Sequence, residues 1–235
     1  MSPQIIFEDS DLLVINKPAG WVVNDADSSR DLQTVQKWLI SAFDYPLNKS
    51  WEYRAGIVHR LDKDTSGVLV VAKNEGAFAF LQREFKERRV EKQYLALVHG
   101  KMAGVGEIDQ PIARNPGNRR KFGVFPGGRG SVTKYEALQI FEKNGQSYSL
   151  VACYPKTGRT HQIRVHLRHL GHSLVGDHVY AERKMIKKDR TLTERIFLHA
   201  QKISFFHPTA GKKVTFEAPL PIDLEEVIKK VSSDL

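Results

Sequence analysis

A chain of 235 residues, 41% hydrophobic and 27% charged, has the ordinary composition of a water-soluble globular protein. Its longest apolar runs, about five residues, exclude a membrane-spanning helix, which needs roughly 20. Cys153 is the lone cysteine, excluding an intrachain disulfide and a cysteine-based zinc site. The 36 Lys and Arg against 27 Asp and Glu leave +9, a balance that favours phosphate-rich partners because each neutralised phosphate releases counterions.

Met1-Ser2-Pro3-Gln4 carries no basic segment and no long apolar core, so no secretory signal is expected and a reducing, cytoplasmic setting fits best. Ile5-Ile6-Phe7, Leu12-Leu13-Val14-Ile15 and Trp21-Val22-Val23 read as short strands joined by turns. Asp31 is positioned to cap a helix in which Leu32, Val35, Leu39 and Ala42 recur at helical spacing. Residues 44–56 are irregular, with Pro46, Asn48 and Gly56 as breakers.

Next comes His59-Arg60-Leu61-Asp62-Lys63-Asp64-Thr65-Ser66-Gly67, followed at once by the apolar run Val68–Ala72. A polar loop delivered onto a buried strand is how a scaffold holds a reactive group still. A capped surface turn is the plainer alternative at this point. Asn74 then caps an amphipathic helix with Phe78, Leu81 and Phe85 on its inner face, and Tyr94–Val98 reads as a buried strand.

Residues 101–131 hold seven glycines, and Arg114, Arg119, Arg120, Lys121 and Arg129 alternate with Phe122 and Phe125. This composition predicts a long loop or hairpin, suited either to tracking phosphates beside aromatic rings or simply to facing solvent. Strands are expected over 132–141 and 147–154 around an Asn144-Gly145 turn. A helix beginning near Thr157–Thr160 places Ile163, Leu167 and Leu170 on one face, with His161, Arg164 and Arg168 beside it, and Gly171 ends it. Residues 181–195 read as a charged insertion. Residues 196–198, 203–206 and 213–216 read as short strands, and a last helix buries Leu224, Val227, Ile228 and Val231. Irregularly ordered strands and helices argue for one α+β domain spanning 1–235 rather than a parallel βαβ sheet.

Mechanism removes several matches. Asp62–Gly67 imitates half of a calcium loop, but its twelfth position is Lys73, where a bidentate glutamate must sit. His59-Arg60-Leu61-Asp62 echoes a kinase catalytic loop without its magnesium-binding partners, and Gly127–Ser131 lacks the P-loop lysine. The five histidines from His161 to His178 contain no HExxH pairing, so no metal is called. Asp62 and Asp64, two apart in a loop, make a poor glycosidase pair. What remains is a lone carboxylate in a rigid loop, a tyrosine on the next strand, and Thr157–His166, whose guanidinium groups could keep a carboxylate ionised if the two met.

The chain resembles the RluA family of RNA pseudouridine synthases. The likeness runs through Val14–Gly20, His59–Gly67, Lys92–Val98 and Thr157–Leu167, with shorter matches at Pro111–Arg114, Gly176–Tyr180, Leu198–Ala200, His207-Pro208 and Ala218–Pro221. It implies an α+β pseudouridine synthase fold, a mixed and mostly antiparallel sheet flanked by helices with a catalytic cleft across it. The implied activity isomerises a uridine within ribosomal or transfer RNA, without cofactor or metal; a monomer is the default expectation, and the short apolar runs predict no membrane contact. By the same resemblance Asp62 is the essential carboxylate, Tyr94 stacks on uracil and assists at C5, and Arg164 pairs with Asp62. Ile163 packs on the other side of the base. Arg60 fills the space left by the flipped nucleotide, and His59, Arg159 and His161 join the substrate-binding set. Two departures accompany the likeness: Asn24 stands where the family often has histidine, and the extra N-terminal RNA-binding domain of many members is not expected here. A silent RNA-binding module and a base-releasing glycosylase are the competing classes.

Overall fold

The computed structural model describes residues 2–25, 32–119 and 121–232. In chain order its first elements are β1 (Gln4–Glu8), β2 (Leu12–Lys17), α1 (Val35–Ala42), β3 (Ser66–Ala72) and α2 (Glu75–Lys86). Then follow β4 (Glu91–His99), β5 (Val105–Asp109), β6 (Ile112–Arg114), β7 (Phe122–Val124), β8 (Val132–Lys143) and β9 (Gln146–Pro155). The chain closes with α3 (Gln162–His169), α4 (Arg183–Asp189), β10 (Leu198–Phe206), β11 (Lys213–Glu217) and α5 (Ile222–Ser232). These elements fall into two compact units: residues 1–92 with 200–219, and residues 93–199 with 220–235.

The first unit is ordered β1-β2-β3-β10, with β11 on β10. Strands β2 and β3 are antiparallel from Leu12↔Ala72 to Lys17↔Gly67. Nearly every side chain of both is buried, which explains their unbroken apolar sequence. Leu12, Val14, Val68 and Val70 share a core with Leu81 of α2 and with Ile203 and Phe205. Asn74 caps α2 by accepting the Ala77 N–H at 2.9 Å, as its sequence position predicts. For α1 the expected cap, Asp31, lies outside the described residues; Thr34 fills that role, accepting the Lys37 N–H at 3.1 Å. The expected strand at Trp21–Val23 reduces to one bridge, Val22↔Thr34, because its backbone hydrogen bonds go to Gln33, Val35 and Gln36 at the start of α1 rather than to a strand.

The second unit is ordered β4-β9-β8-β5, all antiparallel. Asn144 and Gly145 form the β8–β9 turn with φ of 50° and 69°, the pair of left-handed residues a tight hairpin demands. The glycine-rich stretch contains a real hairpin, β6–β7, paired from Ile112↔Val124 to Arg114↔Phe122. Helix α3 buries Ile163 and Leu167 against β4 and β9 residues, while α5 buries Leu224, Val227 and Val231. The charged segment 181–195 is not merely an insertion. It forms α4, whose Asp189 is fully buried, with one carboxylate oxygen 3.1 Å from His99 Nε2 and 2.8 Å from the Gly176 N–H. No helix among the described residues is long and apolar enough to cross a membrane.

Candidate active site

The 59–67 loop of the first unit is fastened at both ends and in the middle. His59 Nε2 accepts the Val70 N–H at 2.9 Å, and its ring stacks on Phe85, centroids 4.8 Å apart. Accepting that hydrogen requires a neutral imidazole with its proton on Nδ1. Burial, reinforced by the Lys92 ammonium, holds His59 down to about 3, so it stays neutral. Lys92 is itself lowered to about 8 by burial. His59, expected from the resemblance to bind substrate, thus also pins the loop to β3.

The middle of the loop is held by Lys17, whose side chain is completely buried. Its ammonium donates to the carbonyls of Pro18, Trp21 and Lys63 at 2.9, 2.9 and 3.0 Å. Gly20 N–H reaches the same Lys63 carbonyl at 2.9 Å. A buried ammonium is tolerated only when its donors are met, and here they are met by the backbone on either side of the turn. At the far end Gly67 has φ of 121°, and a β-carbon there would run into the Ala200 carbonyl. Glycine is therefore required for β3 to lie against β10. Within this frame Leu61, Thr65 and Ser66 are buried, Asp62 is half-buried, and Arg60, Lys63 and Asp64 are exposed. The Asp62 carbonyl accepts the Thr65 N–H at 3.2 Å, closing the turn. One partly sheltered carboxylate is presented on a rigid loop; its neighbour Asp64 faces solvent.

The second unit carries Tyr94, Arg159, His161, Ile163 and Arg164. Tyr94, half-buried on β4 opposite Cys153, packs on the apolar cluster that contains Ile163 and Leu167. The two residues expected to contact uracil therefore share one cluster. Arg164 is 9% exposed. Its Nε and Nη2 donate to the two oxygens of Asp177, each at 2.8 Å, and the Tyr180 ring lies 4.9 Å from the guanidinium carbon. Asp177 is also held by the backbone N–H groups of Val179 and Tyr180 at 3.0 and 3.1 Å. Such a two-point pair fixes the plane of the guanidinium as well as its position. Sequence reasoning did not single out Asp177. Its signal was present in Gly176–Tyr180, but a pairing across 13 residues through tertiary structure has no period to reveal it.

The loop before α3 is organised by Gln162. Its Oε1 accepts from Thr157 Oγ1 and the Arg159 N–H, at 2.7 and 3.0 Å, and its Nε2 donates to the Val132 carbonyl and Thr133 Oγ1. His161 sits in the left-handed region, φ 56°, at the helix start, and its Nδ1 lies 2.8 Å from Tyr180 Oη. The same Tyr180 hydroxyl accepts the Phe122 N–H at 3.0 Å. Phe122 in turn carries the Arg114 guanidinium over its ring at 5.1 Å. Of the basic residues in this hairpin region, Arg114, Arg119 and Arg129 are exposed and Lys121 is half-buried; Arg120 lies outside the described residues. His166 is buried between Thr133 Oγ1 and the Gln110 carbonyl, and burial lowers its affinity for a proton.

Asp9, Asp11 and His207 bring three potential ligand atoms within 4.8 Å of one another. Their polar atoms are already occupied. Asp9 accepts from the Asp11 and Leu12 N–H groups and pairs with His207 at 2.8 Å, while Asp11 accepts from Asn74 and Thr209. This arrangement ties two turns together.

A model of the RNA pseudouridylate synthase family matches residues 11–169. The chain is 42% identical over 233 residues to ribosomal large subunit pseudouridine synthase D of Zymomonas mobilis, covering 96% of this chain and 72% of that one. It is 40% identical to the uncharacterized RNA pseudouridine synthase YlyB of Bacillus subtilis, covering 98% and 73%. Among solved structures, human RNA pseudouridylate synthase domain containing 1 superposes with a TM-score of 0.75 at 33% identity, covering 96% of this chain and 87% of that one. The α+β arrangement is the pseudouridine synthase fold, and the chain belongs to the RNA pseudouridine synthase family, whose members isomerise uridine to pseudouridine in RNA.

Proposed function

We propose that this chain modifies ribosomal RNA, with Asp62 as the essential carboxylate acting on the ribose of a flipped-out uridine. The observation that carries the reading is the half-buried Asp62 on a turn locked by the Lys17 ammonium. A single carboxylate held still, with its neighbours either buried for structure or turned to solvent, suits a group whose working form is the anion. The N-glycosidic bond breaks, uracil turns, and C5 bonds to the anomeric carbon. Tyr94 stacks on the base and assists loss of the C5 proton, Ile163 packs against the base, and Arg164 supports the carboxylate's charge. Arg60, exposed on the same loop as Asp62, takes the place of the extruded base; a guanidinium plane is well suited to that exchange. His59, Arg159 and His161 support the substrate around these groups, and residues 1–235 act as one catalytic domain in the cytoplasm. The ribosomal assignment is supported by the relatives carrying that name.

The test is tritium release from unmodified ribosomal RNA transcripts labelled at uracil C5. The intact chain is expected to release tritium without freeing uracil, and Asp62→Asn to release none. Full release by Asp62→Asn removes Asp62 from the chemistry. Release from transfer RNA but not from ribosomal RNA moves the substrate.

A further inference from the structure

Beside the catalytic loop, within the first unit, lies an open cavity of about 520 Å³, a size typical of small-molecule sites. Its walls include Asn24, Tyr53, Arg54, His59, Arg60 and Gln82, with Glu52 as one opposing carboxylate and an apolar side formed around Phe78, so they are largely polar with a small excess of positive charge. Four features mark it as built for a ligand. Asn24 Oδ1 is buried and has no hydrogen-bond partner among the described residues, a costly state for a polar atom unless something else supplies the donor. His59 spends Nε2 on the Val70 N–H, leaving Nδ1–H as its other polar group. Tyr53 is braced edge-on by Phe78, centroids 5.1 Å apart at 80°, so its ring offers a fixed face at the rim. Arg54 and Ala55 both hold left-handed backbones, φ 50° and 53°, a conformation that non-glycine residues adopt only where the surroundings impose it.

We propose that this cavity is a nucleotide subsite that receives an unstacked adenine flanking the target uridine in the RNA strand. An asparagine amide pairs in two places with the N6 amino group and N7 of adenine, which would satisfy Asn24 Oδ1. A tyrosine face stacks on any base, and Arg54 supplies charge for the adjoining phosphate. Arg60 and Asp62 are two residues apart, about 7 Å of chain at most, so a base seated here belongs to a near neighbour of the reacting uridine. The assignment of the ligand as part of the substrate strand rests on the pseudouridine synthase reading; the pocket's chemistry does not.

Two arms test it. In the first, adenosine and uridine 5′-monophosphates are titrated onto the nitrogen-15-labelled intact chain, following the backbone amide of Tyr53, a signal that every variant retains. The adenine nucleotide should shift it saturably and the uridine nucleotide several-fold more weakly, with the response lost in Asn24→Ala and Arg54→Ala that keep the wild-type thermal midpoint. No saturable shift, or equal shifts for both nucleotides, overturns the subsite. In the second arm, an abasic site is placed at each position flanking the modified uridine of a synthetic RNA. One such site should raise KM about tenfold for the wild type, the scale of one or two lost hydrogen bonds, and by a smaller factor in Asn24→Ala, where only the stacking on Tyr53 is left to lose. If adenosine monophosphate binds but no abasic site matters, the pocket takes a free nucleotide and the flanking-base assignment is overturned. A wild type that binds the adenine nucleotide but releases no tritium from any RNA would instead defeat the functional reading while leaving the pocket standing.

Discussion

Lys17→Met removes the ammonium that locks the Asp62 turn while keeping a side chain of similar length. Three carbonyls, on Pro18, Trp21 and Lys63, lose a charged donor. Hydrogen bonds to charged groups are worth roughly 1.5–3 kcal/mol each, and an orphaned buried acceptor costs about 1–3 kcal/mol. The desolvation of the ammonium, which opposes folding in the native protein, disappears with it, so the terms offset in part. A net loss of about 3–5 kcal/mol is expected, from two carbonyls deprived of the ammonium at about 1–3 kcal/mol each and a third that loses its charged donor, less the recovered desolvation. For a chain of this length each kcal/mol lowers the thermal midpoint by roughly 2–4 °C, giving a fall of roughly 6–20 °C. The second consequence is catalytic. The Lys63 carbonyl, next to Asp62, is left with the Gly20 N–H as its remaining donor, and a displacement of about 1 Å costs on the order of 100-fold in rate. Urea unfolding followed by circular dichroism gives the first quantity. Tritium release, measured at a temperature where the variant is folded, gives the second. A variant within about 1 kcal/mol of wild type and with undiminished turnover would show that Lys17 does not hold the loop.

Asp177→Ala leaves Arg164 buried without its two-point partner and is expected to cost about 3–5 kcal/mol, with turnover falling further than stability explains; unchanged urea midpoint and kcat would refute the role. His59 titrates near 3 in the folded chain against about 6.5 unfolded, so the unfolded state binds more protons between these values. Stability is therefore full above pH 6.5 and falls as the solution is acidified towards 3. The loss between pH 7 and pH 5 should be roughly 2 kcal/mol at about 1.4 kcal/mol per unit. His59→Gln should flatten that part of the pH–stability curve, and a slope unchanged in the variant would assign it elsewhere. Arg114→Ala, Arg119→Ala and Arg129→Ala should each lower the slope of log affinity for RNA against log salt by about 0.7–0.9, and a constant slope makes the hairpin an ordinary solvated surface.

The parts of the fold legible in the sequence are those set by local rules. The Asn74 cap, the Asn144-Gly145 turn and the apolar stripes of α2, α3 and α5 each depend on residues within one turn of one another. Helix α1 starts about a turn later than expected, at Val35 after the Thr34 cap, and leaves Leu32 outside it. The failures have a common cause. Trp21–Val23 has strand composition, but its backbone bonds the residues that open α1 rather than a neighbouring strand. Segment 181–195 looks like a charged surface, yet it folds as α4 because Asp189 finds His99 and the Gly176 N–H far away in sequence. The same holds at the site. Asp62 and Tyr94 stood out through motif likeness, whereas Lys17, Asp177 and Gln162 act by holding other groups in place, and such work leaves no mark until tertiary contacts are known.

Tyr180 shows how far that supporting work extends. Its ring lies against the Arg164 guanidinium, its backbone N–H helps hold Asp177, and its hydroxyl meets both His161 and the Phe122 N–H. Tyr180, Val165 and Ile112 form one small core on which Phe122, Val124 and Val179 pack. The basic hairpin is thus not an independent appendage. It docks through Phe122 onto the residues that orient Arg164, while the Arg114 charge rests on the outer face of the same Phe122 ring. A rigid mount of this kind commits the cationic hairpin and the site arginine to one packing arrangement. The entropy of ordering the hairpin is then spent in folding, so a ligand meeting it would find it preorganised.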